Sequence, residues 1–297
     1  MEKLFYELPA DIWRVVQDLY SNMSSKIKWN SHLSKQFSIN QGVRQGGVLS
    51  THLYKLYINE LPEELERRGL GLNIGLEYCG SPLCADDIVL MTTDETEIQA
   101  MLNIAYKFSC QHRYNIHPEK STLIKTERIK TSKQQHPITQ GEKPIKEDQQ
   151  TTHLGIIRPS KNETKLNIQE HISVARRTLD TLIPVGLNGQ EGLNPITAYK
   201  IYQAYVLQRL LYGLEVLSLN ATQMSDLKQF HLKTLRCFQS LPIRTSSAAV
   251  YMLLGALPIE AELHKRQLSL LYFILASENT KLKKCNGTTD DRKCREL

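Results

Sequence analysis

The sequence lacks the features of a membrane-spanning, exported or zinc-cysteine protein. No apolar run approaches the ~18 residues that a membrane-spanning helix needs. The N-terminus has no basic start followed by an apolar stretch, as a secretory signal peptide would. The six cysteines include no C-x-x-C pair and no Cys/His cluster with zinc spacing. These absences predict an intracellular protein with reduced thiols and no membrane partner.

What the chain has is enough apolar material for a folded body and a small basic excess. Its 297 residues are 41% hydrophobic and 23% charged, which suits one large domain or two ordinary ones. The formal net charge is +6. That excess permits binding of nucleic acid or phosphate but does not establish it, since a solvated basic face has the same composition.

The first half of the chain alternates helical and extended patterns. Residues 9–30 predict a helix with one buried stripe of Ile12, Val15, Val16 and Leu19. A short strand (36–40), a glycine-bearing loop (41–47), a helix (48–59) and a hairpin region (72–91) follow.

A second helix start is predicted at Asp94, which has the look of an N-cap with Glu97 at the capping-box position. The chain then returns as a strand at 117–126 and, after a polar stretch (127–150), as another at 152–158. This order predicts an α+β layer with an antiparallel sheet on one side and helices on the other.

The second half predicts helices. The helical character begins near residue 165, and further helices are predicted from Asn194-Pro195, at 224–241 and at 258–276. Residues 278–297 are polar with several Lys and Arg, which predicts a disordered basic tail.

The feature that points to chemistry is a pair of adjacent carboxylates, Asp86 and Asp87, between two short apolar runs. This pattern predicts a β-hairpin with both acids exposed at its tip. Two neighbouring like charges repel each other unless a cation offsets them, and a divalent metal that also holds a triphosphate would do so. A solvated turn is the alternative for such a pair considered by itself.

The surrounding motifs resemble a known family. Residues 42–46 read Gly-Val-Arg-Gln-Gly, and with the downstream Ala85-Asp86-Asp87 they resemble the palm of reverse transcriptases, in particular those of non-LTR (LINE-type) retrotransposons. The resemblance continues through residues 119–121 and 153–156. It implies an α+β fold made of a partial polymerase palm (1–158), an all-helical thumb-like region (159–277) and the basic tail (278–297).

The resemblance implies RNA-directed DNA synthesis, with Asp86 and Asp87 as catalytic and metal-binding residues. In a two-metal polymerase such carboxylates hold Mg²⁺ ions, with Mn²⁺ as the alternative, that activate the primer 3′-hydroxyl and stabilise charge during in-line phosphoryl transfer. The implied partners are an RNA template, a DNA primer and deoxynucleoside triphosphates.

The resemblance also implies roles for residues that are ambiguous by themselves. Nucleotide and template contacts fall to Arg44, Gln45, Gly46 and Lys120, the primer grip to Leu154 and Gly155, and backbone contacts of the thumb to Arg176, Arg177, Lys200 and Arg209. For each, an ordinary glycine turn, sheet edge or solvated charge is the alternative.

Three positions depart from the family pattern. Cys84 stands where the family has Tyr or Phe, Thr51 where Pro commonly follows Ser, and His117 where Asn usually lies. Cysteine is smaller than an aromatic ring, so packing beside the primer end would differ. Together the changes suggest relaxed constraint.

The larger departure is the absence of a counterpart to the family's first catalytic aspartate. In the family, that aspartate lies on a strand upstream of the glycine loop. The upstream aspartates here are Asp11 and Asp18, and both fall in the predicted helix. The expectation is an N-terminally truncated chain that is catalytically incomplete alone, because a two-metal site would lack a bridging ligand.

Three interpretations stay open at this point. The chain is part of a reverse transcriptase, a non-catalytic nucleic-acid-binding remnant or domesticated retroelement product, or a decayed element. An endonuclease has no support, since no separate acidic or His cluster offers a second metal site.

Overall fold

The chain forms two compact units in a computed structural model. The structure describes residues 8–40, 42–44, 46–126, 137–189 and 192–277. The first unit comprises residues 1–116 and 138–144, and the second comprises 117–137 and 145–297. The disordered tail predicted at 278–297 lies outside the described residues. The family-based boundary at residue 158 stays a prediction.

Helices and short strands alternate in the first unit, while helices dominate the second. The helices are α1 Ala10–Tyr20, α2 Val48–Ile58, α3 Glu60–Arg67, α4 Glu95–Gln111, α5 Glu163–Leu182, α6 Pro195–Ile201, α7 Gln208–Leu211, α8 Ala221–Phe238, α9 Ser247–Leu254 and α10 Ile259–Ala276. The strands are β1 Ser24–Ser25, β2 Lys28–Trp29, β3 His32–Leu33, β4 Phe37–Ser38, β5 Asn73–Ile74, β6 Glu77–Tyr78, β7 Leu83–Cys84, β8 Asp87–Ile88, β9 Thr122–Leu123, β10 Thr139–Gln140, β11 Lys143–Pro144, β12 Lys146–Glu147, β13 Gln150–His153 and β14 Ile156–Pro159.

The strands pair two by two. Pairs β1–β4, β2–β3, β5–β6, β7–β8, β10–β11 and β13–β14 are antiparallel, whereas β9 and β12 pair in parallel. The mixture of helices and mainly antiparallel strands is compatible with the predicted α+β class. The parallel β9–β12 pair was not expected from the sequence.

Helices α3 and α4 supply the core of the first unit. Leu61 and Leu65 lie one turn apart on α3 and are 1% and 0% exposed. Met101 and Ala105 repeat that spacing on α4 and are equally buried. The i, i+4 spacing puts each pair on one helix face, so the two faces form the apolar layer of the unit.

The burial predicted for the apolar stripe of α1 is wrong for three of its four residues. Val16 is buried, but Ile12, Val15 and Leu19 are 48%, 58% and 44% exposed. The helix also ends at Tyr20 rather than near residue 30. The apolar spacing predicted the helix correctly, whereas burial needs a neighbouring element, which periodicity does not supply.

Backbone hydrogen bonds outside the assigned strands connect the two hairpins β5–β6 and β7–β8. The Leu72 amide donates to the Met91 carbonyl (2.8 Å), and the Met91 amide donates to the Gly80 carbonyl (2.8 Å). The Cys79 amide donates to the Leu72 carbonyl (2.8 Å). The predicted hairpin region 72–91 is therefore a small antiparallel assembly whose outer turn carries the Asp-Asp pair.

The start of α4 fastens this assembly to the helical layer. Asp94 caps the helix as predicted, because its Oδ1 accepts from the Thr96 and Glu97 amides (2.7 and 3.0 Å). Glu97 does not return a bond to Asp94. Instead its Oε1 accepts from the Gly71 amide (2.8 Å), next to the hairpins.

The second unit is built around one helical core. Its largest fully buried members come from the stretch 195–214 and from α8 and α10: Tyr202, Leu210, Leu211, Leu214, Leu227, Leu235, Phe238 and Ile259. A π-helical segment, Tyr202–Leu207, joins α6 to α7. Among the described residues, no helix is both long and apolar enough to cross a membrane.

Candidate active site

The Asp-Asp pair lies at the tip of a tight hairpin, as predicted from the sequence. Cys84 pairs with Asp87 across β7 and β8, which leaves Ala85 and Asp86 as the two turn residues. Both aspartates are exposed to solvent. The turn presents its acids outward, which suits recognition of a ligand at the surface.

Ala85 takes a backbone conformation that alanine rarely adopts. Its φ is +51°, in the left-handed region. The corresponding turn positions of hairpins β5–β6 and β10–β11 are Gly75 and Gly141, with φ of +63° and +61°. Glycine adopts this conformation freely, but a Cβ makes it unfavourable by ~1–2 kcal/mol. Local strain of this kind clusters at functional sites.

The glycine loop leads directly into α2. Gly46 has a φ of +77°, and Gly47 is the N-cap of the helix. The Ser50 hydroxyl donates to the Arg44 carbonyl (2.5 Å), and the Gly47 amide donates to the same oxygen (3.1 Å). These bonds close the loop onto the first turn of α2. Gln45 lies outside the described residues.

Arg44 is engaged with the end of α1. Its Nη2 donates to the Leu19 carbonyl (3.0 Å), and its Nε lies 3.4 Å from the Met23 sulfur. Arginine favours a helix C-terminus because it donates to carbonyls that have no partner within the helix. The guanidinium thus ties the glycine loop to α1, and its predicted role with phosphate stays a prediction.

Tyr54, on α2, is influenced by the charge of Asp86. Burial raises the pKa of the half-buried Tyr54 phenol, and the negative charge of Asp86 raises that pKa further. A neighbouring anion raises a phenol pKa because it disfavours the phenolate. Asp86 therefore lies within electrostatic range of α2, the helix that follows the glycine loop.

The described residues do not complete a two-metal site. Asp86 and Asp87 supply two carboxylates, but no group of three or more His, Cys, Asp or Glu side chains there could hold a metal ion. Asp11 and Asp18 both lie on α1, in helical rather than extended backbone. The donor set on this part of the chain is one carboxylate short of the bridging arrangement that a two-metal site requires.

The other predicted contact residues belong to the second unit. Lys120 is exposed in a turn, where its amide donates to the His117 carbonyl (3.3 Å). Leu154 and Gly155 form the two-residue turn between β13 and β14, with φ of +50° and +77°. Two successive positive φ values are typical of the type I′ hairpin turn.

The four basic residues predicted on the thumb differ in their availability. Arg177 pairs with Glu170 (3.1 Å), and Arg209 donates to the Thr178 hydroxyl (2.8 Å). Arg176 and Lys200 are exposed on their helices. Lys200 and Arg176 are therefore the better placed of the four to meet an external phosphate.

The family assignment follows from comparison with known proteins. Residues 1–157 match the family described as reverse transcriptase (RNA-dependent DNA polymerase). The chain belongs to the reverse transcriptase family. The match includes the glycine loop, the Asp86-Asp87 turn and the turn at Leu154. No curated protein matches the chain.

Membership of the family explains the general chemistry of the site. Reverse transcriptases act on a primed nucleic-acid template with deoxynucleoside triphosphates and generally use divalent metals. The two carboxylates at an exposed turn are the kind of oxygen ligands that Mg²⁺ prefers.

Sequence reasoning missed two tyrosines that the structure relates to the predicted motifs, Tyr54 by its electrostatic interaction with Asp86 and Tyr212 by a hydrogen bond. Tyr54 was not singled out, although it belongs to the aromatic-rich α2 sequence. Tyr212, whose hydroxyl donates to the Leu154 carbonyl (2.9 Å), was missed as well. No spacing rule links residues 58 positions apart, so only the three-dimensional structure could identify this contact.

Proposed function

We propose that this chain is a portion of a LINE-type reverse transcriptase that binds an RNA–DNA hybrid but does not polymerise by itself. The LINE type is supported by the Gly-Val-Arg-Gln-Gly string with the downstream Ala85-Asp86-Asp87. In this proposal Asp86 and Asp87 are the metal-binding carboxylates of the palm. Binding is assigned to exposed basic residues of the helical unit.

The observation that carries the proposal is the two-carboxylate turn without a third ligand. Asp86 and Asp87 lie at an exposed hairpin tip, where Cys84 pairs with Asp87 across β7 and β8. The described residues add no further carboxylate that would bridge two ions. Loss of one such group typically removes several kcal/mol of transition-state stabilisation, which corresponds to rate losses of a thousandfold or more.

A non-catalytic nucleic-acid-binding remnant is the second candidate, and the same observation favours it. Both candidates predict hybrid binding without synthesis by the isolated chain. They differ in what an upstream aspartate-bearing strand would do. Transcript sequencing across the start codon tests this, because an in-frame aspartate box would restore the enzyme and its absence would leave the remnant.

Hybrid binding is tested by a salt titration of affinity. A labelled RNA–DNA hybrid should bind with an affinity that falls linearly with salt on logarithmic axes, because each phosphate contact releases counterions. Replacing exposed Lys200 in Lys200→Ala should lower the magnitude of that slope by about 1. Lys228, which pairs with Glu260 at 3.3 Å, offers a matched control.

The expected outcome is a slope change for Lys200→Ala and none for Lys228→Ala. No measurable binding of the hybrid at low salt would contradict the proposal. Equal slopes in both variants and the wild type would show that Lys200 does not contact the phosphates of the hybrid.

A further inference from the structure

The turn at the tip of the β13–β14 hairpin is held in an unfavourable conformation. Leu154 has a φ of +50°, where its Cβ is disfavoured, and its side chain is 45% exposed. A turn of this type usually carries Asn or Gly at that position. The neighbouring structure must therefore stabilise the turn.

Tyr212 makes the contact that stabilises it. This residue follows α7, and its hydroxyl donates to the Leu154 carbonyl (2.9 Å). A Cβ on Gly155 would lie 3.0 Å from the Tyr212 ring, tighter than nearly all real Cβ contacts. Glycine at 155 thus serves both the positive φ and the close approach of the ring.

His171 stacks with the ring of Tyr212. The two rings are nearly parallel, with centroids 6.4 Å apart and an interplanar angle of 12°. His171 lies on α5 and is 6% exposed, and its Nδ1 donates to the Arg209 carbonyl (3.0 Å). Tyr212 therefore bridges α5 and the hairpin turn through stacked and hydrogen-bonded contacts.

Asn167 fastens the strand that follows the turn. Its side chain is fully buried on α5. Oδ1 accepts from the Ile157 amide and Nδ2 donates to the Ile157 carbonyl, both at 2.8 Å. The amide group pairs with β14 as a neighbouring strand would, so the hairpin is anchored to the helices at two points.

We infer that Tyr212 is a positioning residue that fixes the Leu154–Gly155 turn on the helical unit for contact with nucleic acid. The inference rests on the proposed function of hybrid binding. The turn and the helices then present one rigid surface, and binding requires no ordering of the tip. A mobile tip would weaken the apparent affinity in proportion to the fraction of molecules with the turn in place.

The first test measures hydrogen exchange of the free full-length chain. Tyr212→Phe keeps the ring and removes the hydroxyl. Loss of that hydrogen bond should speed exchange of the amides at 153–157 by about threefold to tenfold. Exposed Tyr205 provides the control, and Tyr205→Phe should exchange as the wild type does.

The second test measures the affinity of the same variants for a labelled RNA–DNA hybrid. Tyr212→Phe should weaken binding by up to about threefold, in proportion to the fraction of molecules whose turn has opened, whereas Tyr205→Phe should not. Unchanged exchange at 153–157, or faster exchange throughout the helical unit, would overturn the positioning role. Faster local exchange with unchanged affinity would overturn the role in binding.

The two claims fail in distinguishable ways. A wild-type chain that binds no hybrid would overturn the proposed function and the nucleic-acid part of this inference together. Wild-type binding that Tyr212→Phe leaves intact would overturn only the inference.

Discussion

At the scale of single residues, the most informative position is Ala85. It occupies a turn position that glycine holds in hairpins β5–β6 and β10–β11, and its φ of +51° is strained for a residue with a Cβ. The strained residue immediately precedes the two carboxylates. The register of β7 and β8, in which Cys84 pairs with Asp87, leaves Ala85 and Asp86 in the turn and imposes this conformation on Ala85.

Replacing the methyl group should stabilise the hairpin. Ala85→Gly removes ~1–2 kcal/mol of strain from the left-handed conformation. The greater conformational freedom of glycine in the unfolded chain lowers the free energy of opening by ~0.5–1 kcal/mol. The expected net gain is about 0.5–1 kcal/mol in the free energy of local opening. Hydrogen exchange of the Val89 amide, which donates to the Pro82 carbonyl at 3.1 Å, measures it.

The reverse change serves as the control. Gly75→Ala in hairpin β5–β6 should lower the free energy of local opening of its own hairpin, because Gly75 has a φ of +63°. Faster exchange of the Val89 amide in Ala85→Gly would contradict the assignment of strain to Ala85.

At the scale of elements, helices α4, α6, α8 and α9 begin with a side-chain cap. Asn220 begins α8 with a full capping box, in which its Oδ1 accepts from the Gln223 amide (2.9 Å) and the Gln223 Oε1 accepts from the Asn220 amide (2.8 Å). Helix α8 carries a large share of the helical core, including Leu227, Leu235 and Phe238.

Loss of this cap should destabilise the helical unit. Asn220→Ala should lower its free energy of unfolding by about 1 kcal/mol, since the Gln223 amide loses the side-chain oxygen that accepts its hydrogen bond. Urea unfolding followed by far-UV circular dichroism measures the change. Thr222→Ala, at an exposed position of the same turn, should change stability by less than ~0.5 kcal/mol. Equal effects of the two substitutions would contradict the capping role.

Features that depend on neighbouring residues in the sequence were predictable, whereas contacts between distant segments were not. The cap at Asp94 and the turn at Asp86 arise from local chemistry, so they were predicted correctly. The partner of Glu97 was not, because its carboxylate binds the amide of Gly71, 26 positions away. Burial of α1 failed for the same reason, since periodicity describes a face and not what covers it.

At the scale of the whole molecule, the helical unit contains a buried histidine whose protonation lowers the free energy of unfolding. His231 is fully buried, with the Tyr202 hydroxyl at 2.8 Å from Nδ1 and the Leu257 carbonyl at 3.2 Å from Nε2. Because a carbonyl only accepts, Nε2 donates and Nδ1 accepts from Tyr202. Burial lowers the pKa of His231 to about 4.

Stability should therefore fall in acid. The pKa of His231 is lower in the folded chain than the ordinary 6.5, so its contribution is present above pH 6.5 and is lost as the pH falls towards 4. The loss amounts to roughly 3 kcal/mol across that window. Urea unfolding at a series of pH values measures it.

A histidine that is exposed offers the comparison. His264→Gln should keep the acid-dependent loss, because His264 lies on the surface of α10. His231→Gln should remove the larger part of the dependence between pH 4 and 6.5, and buried His171, whose pKa burial also lowers, should account for what is left. A His231→Gln variant with the full wild-type pH dependence would assign the titration to other groups.

The two units of the molecule carry different parts of the predicted site. The first unit holds a glycine loop and an exposed Asp-Asp turn near α2, and the second holds a fastened hairpin and a helical core with exposed basic residues. The family profile covers the motifs of both units up to residue 157. Among the described residues, no third carboxylate joins Asp86 and Asp87 in a group that could hold a metal ion. The proposal that the chain binds a hybrid without extending a primer rests on this observation.

Primer extension tests that separation most directly. The full chain is incubated with a labelled DNA primer on an RNA template, four deoxynucleoside triphosphates, and Mg²⁺ or Mn²⁺ in separate reactions. We expect the hybrid to be bound and the primer to stay at its starting length. Template-dependent extension by the wild-type chain that is abolished in Asp86→Asn/Asp87→Asn would contradict it.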